Sequence, residues 1–498
     1  MQSYFQKFVF ICCVLTLIVF SLYITAGLDP DFGWQLQIGK YILDHGIPSH
    51  DPFSYSMPSY PFIDHEWLTS ISMWFLYSHL GIVGTKVIFC ILGFVPMLIL
   101  LFFFEKKWSS MPFLLSVATM APFMGIRAQV LSWIFFSVLI VILLKKGLWK
   151  KFRFFLPLFF IIWVNMHGGF PIGIVVLAIF LAVRLWEKKR IIYSDWIIFL
   201  GCILATFINP YTYHIWWEVY ISISDTSLRW NIIEWAPALY IFNFGLIFFL
   251  PFSFMLLFYI RKKFSLFEKS LYIILLLFGI SSARQVPFYI LFAYPLTIRA
   301  LQYFVASLKS IPYGTDRFAK TYTIYLLIFM AVLVWQVAMS ISVFKYDWED
   351  GYPKNAVTYL RQHQFKGNLF ADYNWGGYLI WKLPEKKTFV DGRMPSWRWK
   401  GPVNESNNAF KEYRQTLEGK TPFSKIVKKY HISTVLFPRR QPERYSPDNQ
   451  KPFIANILRI LYGKKPFDFE GEIKKMGMKK VYQDDLAVIY QFPGSKNK

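Results

Sequence analysis

The chain has 498 residues, 55% of them hydrophobic and 20% aromatic, with 54 Lys and Arg against 30 Asp and Glu and hence a net charge of +24. Soluble domains are about 25% charged, whereas only 17% of this chain is, and its apolar residues fall in blocks of about 15–23, the length a bilayer core selects. That pattern implies a polytopic α-helical membrane protein and excludes a soluble enzyme. No basic and aromatic motif points to nucleic acid as a partner.

The first apolar segment, 8–26, follows Lys7 and is long enough to be retained as a span rather than removed as a signal peptide. Segment 67–80, WLTSISMWFLYSHL, is short and carries Ser, Thr and His, which predicts an interfacial or re-entrant helix that does not cross. Further apolar segments run at about 82–104, 109–125, 128–144, 154–166, 170–186, 191–207, 238–260, 267–281, 286–304 and 321–344, giving about 11 spans with the first. Their loops alternate in charge. One set carries Lys7, Lys106, Lys107, Lys145, Lys146, Lys150, Lys151, Arg153, Arg184, Lys188, Lys189, Arg190, Arg261, Lys262, Lys263, Lys309, Arg317 and Lys320. The opposite set has only Lys40, Lys86, Arg127, Arg229 and Arg284. The positive-inside rule puts the first set and the N-terminus in the cytoplasm, in a plasma (inner) membrane, with residue 27 outside. Cys12, Cys13, Cys90 and Cys202 all lie inside apolar segments and read as small buried hydrophobes.

After residue 344 the apolar spans stop, and 345–498 holds 29 Lys and Arg against 16 Asp and Glu. A long translocated domain is exempt from the positive-inside rule, so this stretch is expected outside the membrane as an α/β domain. Its predicted elements are an amphipathic helix at 353–364, extended NLFAD at 368–372, a helix at 374–383, extended TFVDG at 388–392, a helix at 422–430, extended STVLF at 433–437 and a hairpin across 481–490. The remainder, 1–344 with its first outer loop 27–81, forms the membrane domain.

The outward loops collect the ionisable groups. Asp29 and Asp31 follow the first span, ahead of the amphipathic FGWQLQIGKYILDHG; Asp64, His65 and Glu66 follow; then come Arg127, His167 in NMHGGF, Asn209 and His214 in INPYTYH, Glu234 and Arg284. Each has a plainer role: Asp29 or Asp31 as a helix cap, the arginines as snorkelling anchors, His167 as a polar turn residue. Together, carboxylates and arginines on one face suit attack of a hydroxyl on a carbon bearing a phosphate leaving group. A carboxylate takes the proton, and arginine forks hold the phosphate oxygens as charge builds on them. The spans would house a greasy leaving group, and a polyprenyl-phosphate sugar has that shape. The competing reading is a transporter or flippase of a lipid-linked sugar, which would require ionisable groups near mid-membrane and repeat symmetry; here the charges gather at one face.

With DPDFGWQLQIGKYILDHG, DPFSY, DHEW, NMHGGF and INPY in place, the sequence resembles the integral-membrane glycosyltransferases of the GT-C fold, most closely bacterial lipid-linked-sugar transferases of the protein-mannosyltransferase and aminoarabinose-transferase kind. In that family an acidic residue after the first span starts an interfacial helix that ends near a Gly; here Asp31 starts one that ends at Gly46. The tail motifs NWGGYLIW and FVDGR resemble those of an uncharacterised group of bacterial multi-pass proteins. The resemblance implies Asp31 as general base, Asp29 as its partner, and Arg127 and Arg284 on the donor phosphate. Asp64, His65, Glu66, His167, Asn209 and Glu234 are the further substrate-binding candidates. Where the family has a Lys before a Pro pair, this chain has Asp64-His65-Glu66. That departure raises a divalent cation, Mg or Mn, as a cofactor, with Asp29, Asp31 and Glu66 as its ligands. The implied partners are a polyprenyl-phosphate sugar donor, membrane lipid and a glycan, lipid or protein acceptor.

Overall fold

The computed structural model describes residues 2–24, 28–104, 107–226, 228, 232–238, 243–343, 349–363, 365–439 and 467–493; Lys106 and Arg229 lie outside the described residues. The chain divides into two compact units. A helical unit comprises Met1–Ala26, Leu80–Thr212 and Pro237–Asp347, and a sheet-bearing unit comprises Gly27–His79, Tyr213–Ala236 and Trp348–Lys498.

Every apolar segment expected from the sequence is helical. In the helical unit these helices are Gln2–Ile24, the second part of Trp67–Phe103, Ser110–Met120, Gln129–Leu144, Leu156–Met166, Pro171–Lys188, Tyr193–Ala205, Phe244–Tyr259, Leu266–Ser281, Val286–Ser307 and Gly314–Val343. A helix needs roughly 20 apolar residues to span a bilayer. Among the described residues three are long and apolar enough: Trp67–Phe103, Ala283–Ser310 and Gly314–Met339. Tyr4–Val19, Ser110–Phe123, Gln129–Leu144, Tyr193–Ala205 and Gly245–Tyr259 are shorter apolar helices.

The helix Trp67–Phe103 is broken at Gly81, whose φ of 65° and ψ of −172° lie outside the helical region. A side chain is strained at such a φ and glycine is not, so the short polar segment that ends at Leu80 is separated from the apolar one that follows.

Packing in the helical unit relies on large buried rings, Trp133, Trp163, Phe136, Phe160, Tyr289 and Tyr294 among them. Three buried hydroxyls pair within it: Ser253, Tyr272 and Tyr289 form a triangle with edges of 2.9–3.0 Å. The helices Gln2–Ile24 and Gly314–Val343 are joined by Gln6 Nε2 donating to Thr323 Oγ1 at 2.8 Å.

The sheet-bearing unit is built on four strands, β1 Asn368–Ala371, β2 Ile432–Pro438, β3 Lys479–Gln483 and β4 Ala487–Gln491, in the order β1-β2-β4-β3. β1 and β2 are parallel and the other pairs antiparallel. Successive strand side chains point to opposite faces, and here both faces are covered. Phe370, Val435, Phe437, Val488 and Tyr490 share one core with Trp34, Ile38 and Ile42 of the helix Phe32–His45. Leu369, Ala371, Leu436, Ala487 and Ile489 share the other with Ala356, Val357 and Leu360 of the helix Lys354–Gln362. The first loop and the C-terminal residues thus form a single hydrophobic structure.

The predicted helices at 353–364, 374–383 and 422–430 are found as Lys354–Gln362, Gly376–Lys382 and Phe423–Tyr430. TFVDG differs: it is no strand of the sheet and makes one bridge, Ser54 to Thr388, and it ends in a turn in which Asp391 accepts from the Arg393 N–H on Oδ1 and from the Met394 N–H on its carbonyl, each at 3.1 Å.

Candidate functional site

Asp31 occupies the N-cap of the helix Phe32–His45, yet its side chain makes no capping bond. Oδ1 instead accepts from Trp34 Nε1 at 2.9 Å. The turn before it closes on Asp29, whose Oδ1 accepts from the Asp31 N–H at 2.9 Å and whose carbonyl accepts from Phe32 N–H at 3.1 Å. The helix ends as the sequence predicts at Gly46, which has a φ of 83° and donates its N–H to the Ile42 carbonyl. Capping therefore falls to the backbone, and the Asp31 carboxylate is turned sideways.

Both tail motifs wrap this turn. A Cβ on Gly33 would stand 2.1 Å from the Gly377 carbonyl oxygen, and one on Gly377 would stand 2.1 Å from that of Pro30. NWGGYLIW is thus in backbone contact with DPDFG. In FVDGR, a Cβ on Gly392 would stand 2.0 Å from Asp31 Oδ1. Arg393 binds Asp391 through Nε and Nη2, each at 2.8 Å, and Asp51 through Nη1 at 2.6 Å. The rings of Phe53, Phe62 and Trp397 surround its guanidinium, each centroid 5.2 Å away. Burial and the charges of Asp31, Asp391, Glu234 and Asp29 push the phenol of Tyr373 well above its ordinary value, so these four carboxylates lie within electrostatic reach of one hydroxyl.

A second acidic group lies one helical turn away. Gln35 Nε2 donates to Glu66 Oε2, and His65 Nε2 is 3.2 Å from Glu66 Oε1. Asp64 accepts from the Glu66 N–H at 2.9 Å and from Ser70 Oγ at 3.3 Å. Burial, reinforced by the charge of Glu66, pushes the Asp64 carboxyl up to about 6. Burial also raises Glu218, on the helix His214–Ser224, against the opposing charge of His65. For His65 burial alone would lower the value, but Glu66, Glu218 and Asp64 outweigh it and the imidazole titrates above its usual range.

Arg127, His167, Asn209 and Arg284 belong to the helical unit. His167 is buried, and its Nδ1 accepts from the Gly169 N–H at 3.0 Å and pairs with Ser132 Oγ at 2.7 Å. Ser132 Oγ itself accepts from Trp163 Nε1 at 2.8 Å, so its proton is directed to Nδ1. A neutral ring with an accepting Nδ1 carries its hydrogen on Nε2, which makes His167 a fixed donor. Ser132 is near the start of the helix Gln129–Leu144, just after Arg127, and Phe136 of that helix packs on Phe288 of Val286–Ser307, just after Arg284, at 5.1 Å. Ser132 therefore links His167 to the start of the helix that follows Arg127. Asn209 does otherwise: its amide serves its own turn, donating to the Thr206 and Thr212 carbonyls and accepting from Tyr211 N–H.

Among the described residues no three His, Cys, Asp or Glu side chains are placed to bind one metal ion. One oxygen of Asp29 meets a backbone N–H, one of Asp31 meets Trp34, and those of Glu66 meet Gln35 and His65.

No family model matches the chain, and no curated protein does. Solved structures do. AglB, the oligosaccharyltransferase of Archaeoglobus fulgidus in complex with an inhibitory peptide and a dolichol-phosphate, matches with a TM-score of 0.55 at 10% identity, over 88% of this chain and 69% of that one. ArnT from Cupriavidus metallidurans bound to undecaprenyl phosphate matches at 0.50 and 12%, over 98% of both chains. The apo form of the Archaeoglobus fulgidus oligosaccharyltransferase matches at 0.52 and 12%, over 87% of this chain and 70% of that one. The fold is GT-C. A GT-C chain can diverge to these identities and keep its architecture, so what the likeness establishes is the fold. Trp34 and Gln35 lie in DPDFGWQLQIGKYILDHG, Asp51 in DPFSY, and Asp391, Gly392 and Arg393 in FVDGR, so the motifs signal them; the pairings of Arg393 with Asp51, Gln35 with Glu66 and Gly392 with Asp31 escape a sequence reading because they are long-range, as does the burial of Glu218 and Tyr373.

Proposed function

We propose that this protein is a membrane glycosyltransferase that moves a sugar, a hexose or pentose, from a polyprenyl phosphate to an acceptor hydroxyl at the extracytoplasmic face, with inversion. The observation that carries the reading is Asp31: a carboxylate at the head of a helix, in a GT-C fold, whose side chain leaves the helix end uncapped and is held sideways by Trp34. Solved relatives of the fold hold dolichol-phosphate and undecaprenyl phosphate, which supports a polyprenyl phosphate as the leaving group. The acceptor oxygen forms its bond to the anomeric carbon as the bond from that carbon to the phosphate oxygen breaks, and Asp31 takes the acceptor proton. A positioned base of this kind contributes about 10²–10⁴-fold. Asp29 braces the turn that carries Asp31, and Arg127 and Arg284, with the His167 donor, stabilise the charge left on the lipid phosphate. About 11 crossings, with the N-terminus in the cytoplasm and the C-terminal residues outside, complete the proposed arrangement; the acceptor is a glycan, lipid or protein hydroxyl.

The test is reconstitution in proteoliposomes with radiolabelled polyprenyl-phosphate mannose, glucose and aminoarabinose and an extract of envelope acceptors. A new glycoside formed with release of polyprenyl phosphate is expected. Movement of the labelled lipid across the bilayer with no glycoside formed would establish a flippase instead.

A further inference from the structure

The turn Asp391-Gly392-Arg393 has no part in the chemistry assigned so far, although it touches Asp31. Building on the reading of Asp31 as the base, we propose that this turn is a positioning clamp: Gly392 from one side and the Trp34 N–H from another pin the Asp31 carboxylate in the orientation that accepts the proton.

Space makes the first half of the clamp. A methyl group on Gly392 would stand 2.0 Å from Asp31 Oδ1 and 3.7 Å from Trp34 Nε1, so only a hydrogen fits between the turn and the carboxylate. Direction makes the second half, since Trp34 Nε1 donates to the same oxygen at 2.9 Å. The turn behind them is stiff. Its guanidinium side chain is 2% exposed and bonded on both edges, to Asp391 and to Asp51, and Thr388 Oγ1 donates to Asp391 Oδ2 at 3.2 Å. Gly376 closes the back, where a Cβ would meet that of Asp391 at 2.5 Å. A buried ion triad is a poor source of net stability compared with apolar packing. What it supplies here is rigidity, and a displacement of about 1 Å at a reacting group costs on the order of 10²-fold in rate.

The test uses the full-length protein in proteoliposomes with polyprenyl-phosphate mannose, glucose and aminoarabinose offered together. Gly392→Ala is expected to lower kcat about 10²-fold while KM for the lipid donor stays within about threefold, because the donor phosphate is held elsewhere. Trp34→Phe keeps the ring and loses only the N–H, and is expected to lower kcat about tenfold, one lost hydrogen bond's worth. The deciding measurement is each change made again in an Asp31→Asn background, where a clamp with nothing left to position alters the residual rate by less than about twofold. Losses that add in the double variants would overturn the clamp and leave both residues as parts of the fold, and so would a full rate for both single variants. Should Gly392→Ala fail to assemble, the Trp34→Phe pair decides alone. Full activity of Asp31→Asn by itself is a separate outcome: it removes the base and leaves nothing to clamp.

Discussion

The two units handle buried charge in opposite ways. In the helical unit the acids are outnumbered or matched: Asp195, 1% exposed, lies against both Arg153 at 2.5 Å and Arg184 at 3.0 Å and also accepts from Trp149 Nε1, and Glu268 is met by Arg299 at 2.5 Å. In the sheet-bearing unit the acids are in excess. One Arg393 serves both Asp51 and Asp391, and one His65 stands among Asp64, Glu66 and Glu218. Charge that is matched locks a fold; charge that is buried in excess costs stability and is retained where it has a chemical use. On that ground Asp64, Glu66 and Glu218, which share one His65, are candidates for chemistry, whereas Asp195, matched by two arginines, is not.

This contrast is open to attack, first at its largest effect. Asp31→Asn is expected to lower transfer about 10³-fold with the melting temperature unchanged, measured by glycoside formation and thermal unfolding on the same preparation. The mirror image is Asp195→Ala, which strands two arginines and is expected to lose about 3–5 kcal/mol of stability while the protein that remains folded keeps its KM. A variant of Asp195 that melts normally but has lost turnover would break the contrast.

How much of this was legible in the sequence depends on the range of the interaction. Apolar runs, the start of a helix at Asp31 and its stop at Gly46, and the final hairpin all follow from neighbours along the chain, and all appear in the structure. Asp484 shows the local logic: its Oδ1 accepts from Leu486 and Ala487 N–H groups at 2.8 and 2.6 Å and so turns β3 into β4. Trp34 is a local partner of Asp31, three residues along the chain, whereas Gly392 does not follow, because it reaches Asp31 through a tertiary contact with no periodicity to betray it. The helices Ala409–Leu417 and Phe469–Lys475 do not follow from the sequence either; both are short, and a core around Phe370, which contacts Tyr413 at 5.6 Å and Phe469 at 6.1 Å, holds them. Glu218 is one acid in the aromatic segment HIWWEVY, and only burial beside His65 gives it meaning.

A smaller effect sharpens the contrast through pH. Asp64 is raised to about 6 from roughly 3.9 in an unfolded chain, so between those values the folded protein binds more protons than the unfolded one, and stability falls as pH rises through the window. Raised Glu218 acts in the same sense, and raised His65 contributes stability at low pH that is lost as pH climbs through its own titration. Asp64→Asn keeps an acceptor for the Glu66 N–H and is expected to gain roughly 1–3 kcal/mol at neutral pH, with a flatter profile between about pH 4 and 7. Parallel melting profiles for the two proteins would show that the excess charge costs nothing. The smallest expected effect is on the helical side. Ser132→Ala frees the tautomer of His167 and is expected to lower kcat by about tenfold or less in the same transfer assay, one hydrogen bond's worth, with about 1 kcal/mol of stability lost in thermal unfolding because the buried Trp163 N–H loses its acceptor.

The pair Asp51 and Arg393 also sets a clock. The two residues are 342 positions apart in sequence, and a ribosome adding about 5–20 residues per second makes the first roughly 20–70 s before the second. Through that interval Asp51 has no guanidinium to join, and the turn that faces Asp31 does not yet exist. A nascent or truncated chain would carry the acidic loop and the membrane helices without the wall that aims the carboxylate. On the proposed role of Asp31, the carboxylate is aimed only after Arg393 has been made.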